Sequence, residues 1–229
     1  KTCTKKVFQI TDAKDIQDTI VEAFKIAQSG KKGPVLIDMA KDIFSQIIEN
    51  VDSEIPKLSF PIFESKNQDI LNVLDRISKS SKSVIVAGGG VTHANAGEEL
   101  QKFSMKFDIP VVSTMMGLGT FPQDSKNCFG MIGIFGDKAA NQILKDADLI
   151  LSLGARFNDR ITCMFKDTDL SSKFIQVDIN KIEIGRVIKP IMSVCADIKD
   201  VLNKMNSVGL NKTFSKWLKD AQSLRVLNV

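Results

Sequence analysis

Ile150-Leu151-Ser152-Leu153-Gly154-Ala155-Arg156-Phe157-Asn158-Asp159-Arg160 is the stretch whose reading decides the fold. Ile150, Leu151 and Leu153 make a short apolar run that only Ser152 interrupts, the pattern of a strand buried on both faces of a parallel sheet. Gly154 closes the run, and Arg156, Asp159 and Arg160 follow in the loop. Open α/β sheets bind ligands outside the carboxyl ends of their strands. Two arginines and a carboxylate at such an end fit a phosphorylated, hydroxyl-bearing ligand. The same charges also fit a solvated loop that does no more than end a strand.

Strand and helix alternate on either side of this stretch. Upstream, residues 68–79 read as a helix with Ile70, Leu71, Leu74 and Ile77 on one side, and 83–87 as a strand ended by Gly88-Gly89-Gly90. A helix over about 95–107, a strand over 109–114, a Gly117-x-Gly119 loop and a helix over 137–145 follow. Downstream come a strand at 173–178 ending on an acid, a turn or short helix at 180–188, a short strand at 192–194 and a helix at 198–205. Alternation with short connections predicts an α/β fold, a doubly wound parallel sheet with helices on both faces.

The ends of the chain read differently. Residues 11–29 form an amphipathic helix, capped by Thr11 or Asp12 and stopped at Gly30, before a strand over 35–38. One helix and one strand cannot enclose a core, so this segment is expected to be the tail of another α/β domain. From about 43 to 66 the periodicity dissolves around Pro56 and Pro61, as in a linker. Beyond Met205 the chain turns polar and reaches Phe214-x-x-Trp217-Leu218, an amphipathic fragment with nothing in this chain obviously there to receive it.

Composition narrows the function classes. A net charge of +4, from 31 Lys+Arg against 27 Asp+Glu, is too mild to point to nucleic acid. No apolar run approaches the ~18 residues of a membrane span. Cys3, Cys128, Cys163 and Cys195 lie far apart without metal-ligand spacing, which predicts reduced thiols in a cytosol-like compartment rather than a disulfide framework or a zinc site. His93 is the single histidine, so His-based metal centres are excluded.

Taken together, the expected strand ends carry Gly88-Gly89-Gly90, Thr114-Met115-Met116-Gly117, Gly133-Ile134-Phe135-Gly136, Gly154-Ala155-Arg156, Asp178-Ile179 and Ala196-Asp197. Glycines there let the backbone approach a ligand, and Asp178 is placed like an acid that binds ribose hydroxyls. Gly88–Gly90 lacks the full G-x-G-x-x-G spacing and also fits a tight strand-to-helix turn. Met115, Met116, Ile134 and Phe135 are residue types found more often in cores than against cofactors. The composite points to an extended dinucleotide.

Several of these runs carry a resemblance. Gly-Ala-Arg-Phe-Asn-Asp-Arg-Ile-Thr (154–162) resembles the G-A-R-F-D-D-R-V-T signature of the acetolactate synthase (acetohydroxyacid synthase) catalytic subunits. Ser-Gly-Lys-Lys-Gly-Pro-Val-Leu-Ile-Asp-Met-Ala-Lys-Asp (29–42) is similar to that family's S-G-R-P-G-P-V-L-V-D-x-P-K-D. Val-Ala-Gly-Gly-Gly-Val (86–91), Thr-Met-Met-Gly-Leu-Gly-Thr-Phe-Pro (114–122), Gly-Met-Ile-Gly-Ile-Phe-Gly (130–136), Lys-Ala-Ala-Asn (138–141), Val-Asp-Ile-Asn (177–180) and Ala-Asp-Ile-Lys (196–199) extend the match in register.

The resemblance implies a thiamine-diphosphate enzyme of three α/β domains. Residues 1–50 would end the pyrimidine-binding domain, 51–66 would be a linker, 67–206 the central FAD-binding domain, and 207–229 the start of the next linker. It implies FAD contacts at Gly88, Gly89, Gly90, Thr114, Met115, Met116, Ile132, Gly133, Ile134, Phe135, Gly136, Gly154, Ala155, Arg156, Asp159, Arg160, Asp178, Ile179, Ala196, Asp197 and Lys31. Ile134, Asp159 and Arg160 would also face the substrate channel. The catalytic glutamate and the G-D-G…N motif that holds thiamine diphosphate and magnesium would lie outside this chain, which is therefore expected to hold no catalytic residue and no metal ligand. The complete enzyme would join two 2-keto acids as a homo-oligomer, dimer or tetramer, with or without a regulatory subunit. It would act in the cytoplasm, or in a plastid or mitochondrion. Lys31 and Phe135 stand where the family has an arginine and a histidine that reach FAD; Ala40 and Asn158 replace a proline and an aspartate. The alternatives are a non-catalytic ADP, CoA or FAD module of a related 2-keto-acid or oxalyl-CoA decarboxylase, and a purely structural domain.

Overall fold

The structure, a computed structural model, describes residues 3–48, 58–60 and 62–226. Half of the expected linker, with Ser53, Pro56 and Pro61, lies outside the described residues. The chain divides into two compact units, Lys1–Ile62 and Phe63–Val229.

In the first unit, β1 (Lys6–Ile10), α1 (Ile16–Gln28) and β2 (Val35–Met39) form a β-α-β unit with the strands parallel, Lys6 opposite Val35 and Ile10 opposite Met39. The expected single strand is thus corrected to a pair. Asp12 accepts from the Lys14 amide at 3.0 Å where the chain enters its helical run, as the sequence predicts. Ile10, Ala13 and Ile43 are its buried cluster, while Phe24, Leu36 and Ile47 stay exposed.

The second unit is built on six parallel strands in the order β5-β4-β3-β6-β7-β8. They are β3 (Ser83–Ala87), β4 (Val111–Ser113), β5 (Cys128–Met131), β6 (Leu149–Leu153), β7 (Phe174–Asp178) and β8 (Met192–Cys195). Every residue of β3, β4, β6 and β7 is buried. Since successive side chains point to opposite faces, both faces of the sheet are covered. The α/β, doubly wound expectation holds, and 150–153 is a central strand.

Helix α7 (Ile198–Val208) touches both α2 (Asn67–Lys79) and α4 (Gly97–Phe107), and α5 (Lys138–Asp146) touches α8 (Ser215–Val226). Right-handed crossovers place the first group and the second pair on opposite faces, because β3 to β4 and β5 to β6 run in opposite directions across the sheet. The helix expected over about 95–107 is α4; a short helix not expected, α3 (Gly89–His93), precedes it, and Asn95 turns the chain between them at φ 50°. β5 was not foreseen, since Gly130 at φ 81° breaks its apolar run.

One expectation is reversed outright. Phe214, Trp217, Leu218 and Ala221 are buried in the main core, and the Trp217 indole donates to the Ser83 carbonyl at 3.0 Å. The sheet itself receives the fragment that seemed to lack a partner. Among the described residues, no helix is long and apolar enough to cross a membrane. Cys128, Cys163 and Cys195 are free thiols.

Candidate functional site

Counting from β3, the strand order reads 3-2-1-4-5-6, and its direction reverses between β3 and β6. That reversal is where open α/β sheets leave a crevice for a ligand. The Gly88 amide donates to the Leu153 carbonyl at 2.9 Å and the Gly90 amide to the Gly154 carbonyl at 3.1 Å. A Cβ on Gly88 would stand 2.2 Å from the Gly154 oxygen, and one on Gly117 would stand 2.1 Å from the Ala87 oxygen. The glycines are therefore required by backbone packed on backbone, which keeps the floor of the crevice low. Gly88 is buried, whereas Gly89 and Gly90 reach the surface.

On one side of the reversal the floor rises into an apolar wall. Met115 and Met116 follow β4 and are 58% and 67% exposed; Ile134 and Phe135 follow β5 and are 53% and 75% exposed. These four side chains, of types found more often in cores, stand outside the core. They lie beyond the last ladder bonds, Thr114 amide to Ala87 carbonyl and Ile132 amide to Ser113 carbonyl, both 2.9 Å. Thr114, Ile132 and Gly133 are buried beneath them, and Gly136 is half-buried.

On the other side lie the charges. Ala155 is buried below Arg156, and Arg156, Asp159 and Arg160 are exposed. Neither guanidinium has a carboxylate partner among the described residues. Arg156 lines a small cleft with Gln176, Glu183 and Arg186. Buried Gln176 shapes that cleft, donating to the Glu183 carbonyl at 3.1 Å and accepting from the Gly185 amide at 2.9 Å.

The two walls are joined. The Ile134 amide donates to the Arg160 carbonyl at 2.9 Å, so the loop after β5 rests on α6 (Asp159–Thr162). Further along the sheet, Asp178 is buried at the end of β7 and accepts from the Asn180 amide at 2.8 Å, with Ile179 half-buried beside it. At the end of β8, Ala196 is buried, and Asp197 caps α7 by accepting from the Lys199 amide at 2.8 Å. Asp197 thus has a structural task of its own. Lys31 belongs to the first unit, in the turn between α1 and β2.

Sequence reasoning passed over Asp137 and Asn141. The Asp137 carboxylate accepts from the Met131 amide at 2.8 Å. Asn141 accepts from the Gly133 amide and donates to the Gly133 carbonyl, each at 2.9 Å. A clue was available: Asn141 falls on the buried face of an amphipathic helix, among Ala140, Ile143 and Leu144, where an amide needs a partner.

Behind α7, burial would raise the Asp200 carboxyl. The Ser65 amide and hydroxyl, both at 2.7 Å, and the Lys204 ammonium outweigh burial and hold it below the ordinary value.

Residues 70–205 match the family described as thiamine pyrophosphate enzyme, central domain. The chain belongs to this family. Within it, the chain is 33% identical over 221 residues to the acetolactate synthase large subunit of Lactococcus lactis subsp. lactis, covering 94% of this chain and 38% of that protein. It is 36% identical over 234 residues to acetolactate synthase 2, chloroplastic, of Nicotiana tabacum, covering 95% and 34%. With acetolactate synthase, chloroplastic, of Arabidopsis thaliana it shares 37% over 222 residues, covering 93% and 32%. The chain thus spans about a third of the length of these relatives. As a thiamine pyrophosphate enzyme central domain it has the sheet and the strand-end loops just described. Among the described residues, no three His, Cys, Asp or Glu side chains come together as a cation site.

Proposed function

We propose that this chain is the flavin-binding central part of an acetolactate synthase large subunit, with FAD lying along the strand ends on either side of the β3–β6 reversal. One observation carries the reading: two arginines without carboxylate partners among the described residues and four exposed apolar side chains rise from adjacent loops around one low, glycine-floored crevice. A dinucleotide that is anionic in its middle and flat and apolar at one end has the matching chemistry. Arg156 and Arg160 neutralise the diphosphate, and Asp178 takes ribose hydroxyls. Met115, Met116, Ile134 and Phe135 keep water from the ring. Phe135 offers an aromatic face in place of a hydrogen bond.

When bound, FAD adds no electrons to the net reaction, because decarboxylation of pyruvate and addition of its two-carbon unit to a second 2-keto acid is redox-neutral. The chain's residues bind and orient the flavin and form part of the channel wall through Ile134, Asp159 and Arg160. Residues 1–50 serve as the end of a pyrimidine-binding domain. In this reading the whole enzyme is a homo-oligomer, and the 229 residues alone make no acetolactate.

Titration of the purified chain with FAD tests the binding. A saturable change in flavin fluorescence at one FAD per chain is expected. No response to FAD together with tight ADP or CoA binding would transfer the crevice to the decarboxylase alternative. In a separate assay with pyruvate, thiamine diphosphate and magnesium, measurable acetolactate would contradict the assignment of the chain as a non-catalytic part.

A further inference from the structure

The loop Ile132–Gly136 lies beyond the end of β5, where the ladder has stopped, yet it is held at a fixed height. Two side chains from the start of α5 do this. Asp137 closes the base: the Met131 amide donates to its carboxylate at 2.8 Å and its own amide donates to the Met131 carbonyl at 2.7 Å. Asn141 holds the crown by exchanging both hydrogen bonds with the Gly133 peptide groups, as an opposing strand residue would. Gly133 runs at φ 112°, and a Cβ there would stand 2.9 Å from the Arg160 carbonyl, so only glycine fits where the loop passes α6. The next amide, Ile134, donates to that same carbonyl. Asn141 is itself buried, with both ends of its amide satisfied by this one glycine.

We propose that Asn141 is the positioning residue of the crevice: through Gly133 it sets the apolar wall of Ile134 and Phe135 against the charged wall of Asp159 and Arg160. This rests on the flavin reading above. Replacing Asn141 by Ala removes both bonds and leaves the Gly133 amide and carbonyl without them. Replacing it by Asp keeps an acceptor but loses the donor and puts a carboxylate beside the Gly133 carbonyl. Either change frees Ile134 and Phe135 to shift relative to Arg160.

Asn127 supplies a matched control. It is equally buried and donates to the Ser104 carbonyl at 3.0 Å and the Ile109 carbonyl at 3.3 Å, but it precedes β5, at the opposite edge of the sheet. FAD titration and thermal melting are compared for wild type, Asn141→Ala, Asn141→Asp and Asn127→Ala. The expected result is FAD affinity down about tenfold or more in both Asn141 variants, with altered fluorescence of the bound flavin. Asn127→Ala should melt lower while its affinity stays within about twofold of wild type. Affinity that falls in all three variants in proportion to melting temperature would overturn the proposal, since Asn141 would then be one stabilising amide among others. Should the Asn141 variants not fold, amide hydrogen exchange on the wild type decides. Gly133 and Ile134 are expected to exchange more slowly than Phe135 at the exposed tip, and equal rates would overturn the clamp. A wild-type chain that does not bind FAD would sink the flavin reading and this proposal with it. Intact wild-type binding with unchanged Asn141 variants would sink this proposal alone.

Discussion

At Gly154 the backbone runs at φ 58°, and a Cβ there would stand 2.5 Å from the Gly90 Cα and 2.7 Å from Ile198 Cδ1. Neither the conformation nor the space suits another residue. Gly154→Ala should therefore destabilise the domain by about 2 kcal/mol or more, measured by urea unfolding; a change near zero would mean that the β3 and β6 loops are loosely packed. Arg160 poses the opposite case, exposed and costing the fold little. Arg160→Ala should leave the melting temperature close to wild type and weaken FAD about tenfold, with Arg160→Lys recovering only part of the loss. These two residues also show what the sequence reveals and what it hides. A glycine followed by two arginines at a strand end was legible as a candidate for a binding loop, and the structure exposes both arginines there. That Gly88 and Gly154 are needed for loop-on-loop contact was not, because the contact joins residues 66 positions apart.

Among the elements, the central strands and most helices follow from apolar periodicity, since burial on both faces leaves an unbroken hydrophobic run. β1 and β5 escaped. β1, Lys-Val-Phe-Gln-Ile, is short and charged at its start, and β5 is interrupted by Gly130. The helix α8 escaped for another reason: its receiving surface is assembled from distant parts of the chain. Besides the Trp217 bond, the Phe214 amide donates to the Phe107 carbonyl at 2.8 Å, and Arg225 stacks over the Phe129 ring at 4.2 Å. Trp217→Ala should cost about 3–5 kcal/mol in urea unfolding, while a loss under about 1 kcal/mol would mean that α8 is dispensable.

The start of α8 carries a pH dependence as well. The Ser215 hydroxyl, 2.6 Å from Asp108, and the Lys126 ammonium at 3.2 Å hold the Asp108 carboxyl below its ordinary value of 3.8 against the effect of burial. Asp200 is shifted in the same direction. In both groups the folded state binds the proton less readily than the unfolded chain, so their stabilisation is complete above the unfolded value of 3.8 and is lost as pH falls through the lower folded value. Unfolding midpoints should fall on acidification below about pH 4, and less steeply in Asp108→Asn, which also tolerates the left-handed φ of 55° at this position. An identical slope in the variant would remove Asp108 from the acid response.

For the whole molecule, the claim is that six strand ends, reached from five separate crossover segments, form one continuous ligand groove. Their alignment follows from the parallel sheet, which sets every carboxyl end on the same edge, so the set of loops was predictable once alternation was recognised. Composition alone leaves open which apolar side chains these loops expose, and the structure exposes Met115, Met116, Ile134 and Phe135. Amide hydrogen exchange of the chain with and without saturating FAD tests the claim most directly. The groove predicts slowed exchange together at residues 88–90, 114–116, 132–136, 154–160, 178–179 and 196–197, with the first unit's α1 unchanged. Protection confined to one of these loops, or appearing only outside them, would contradict it.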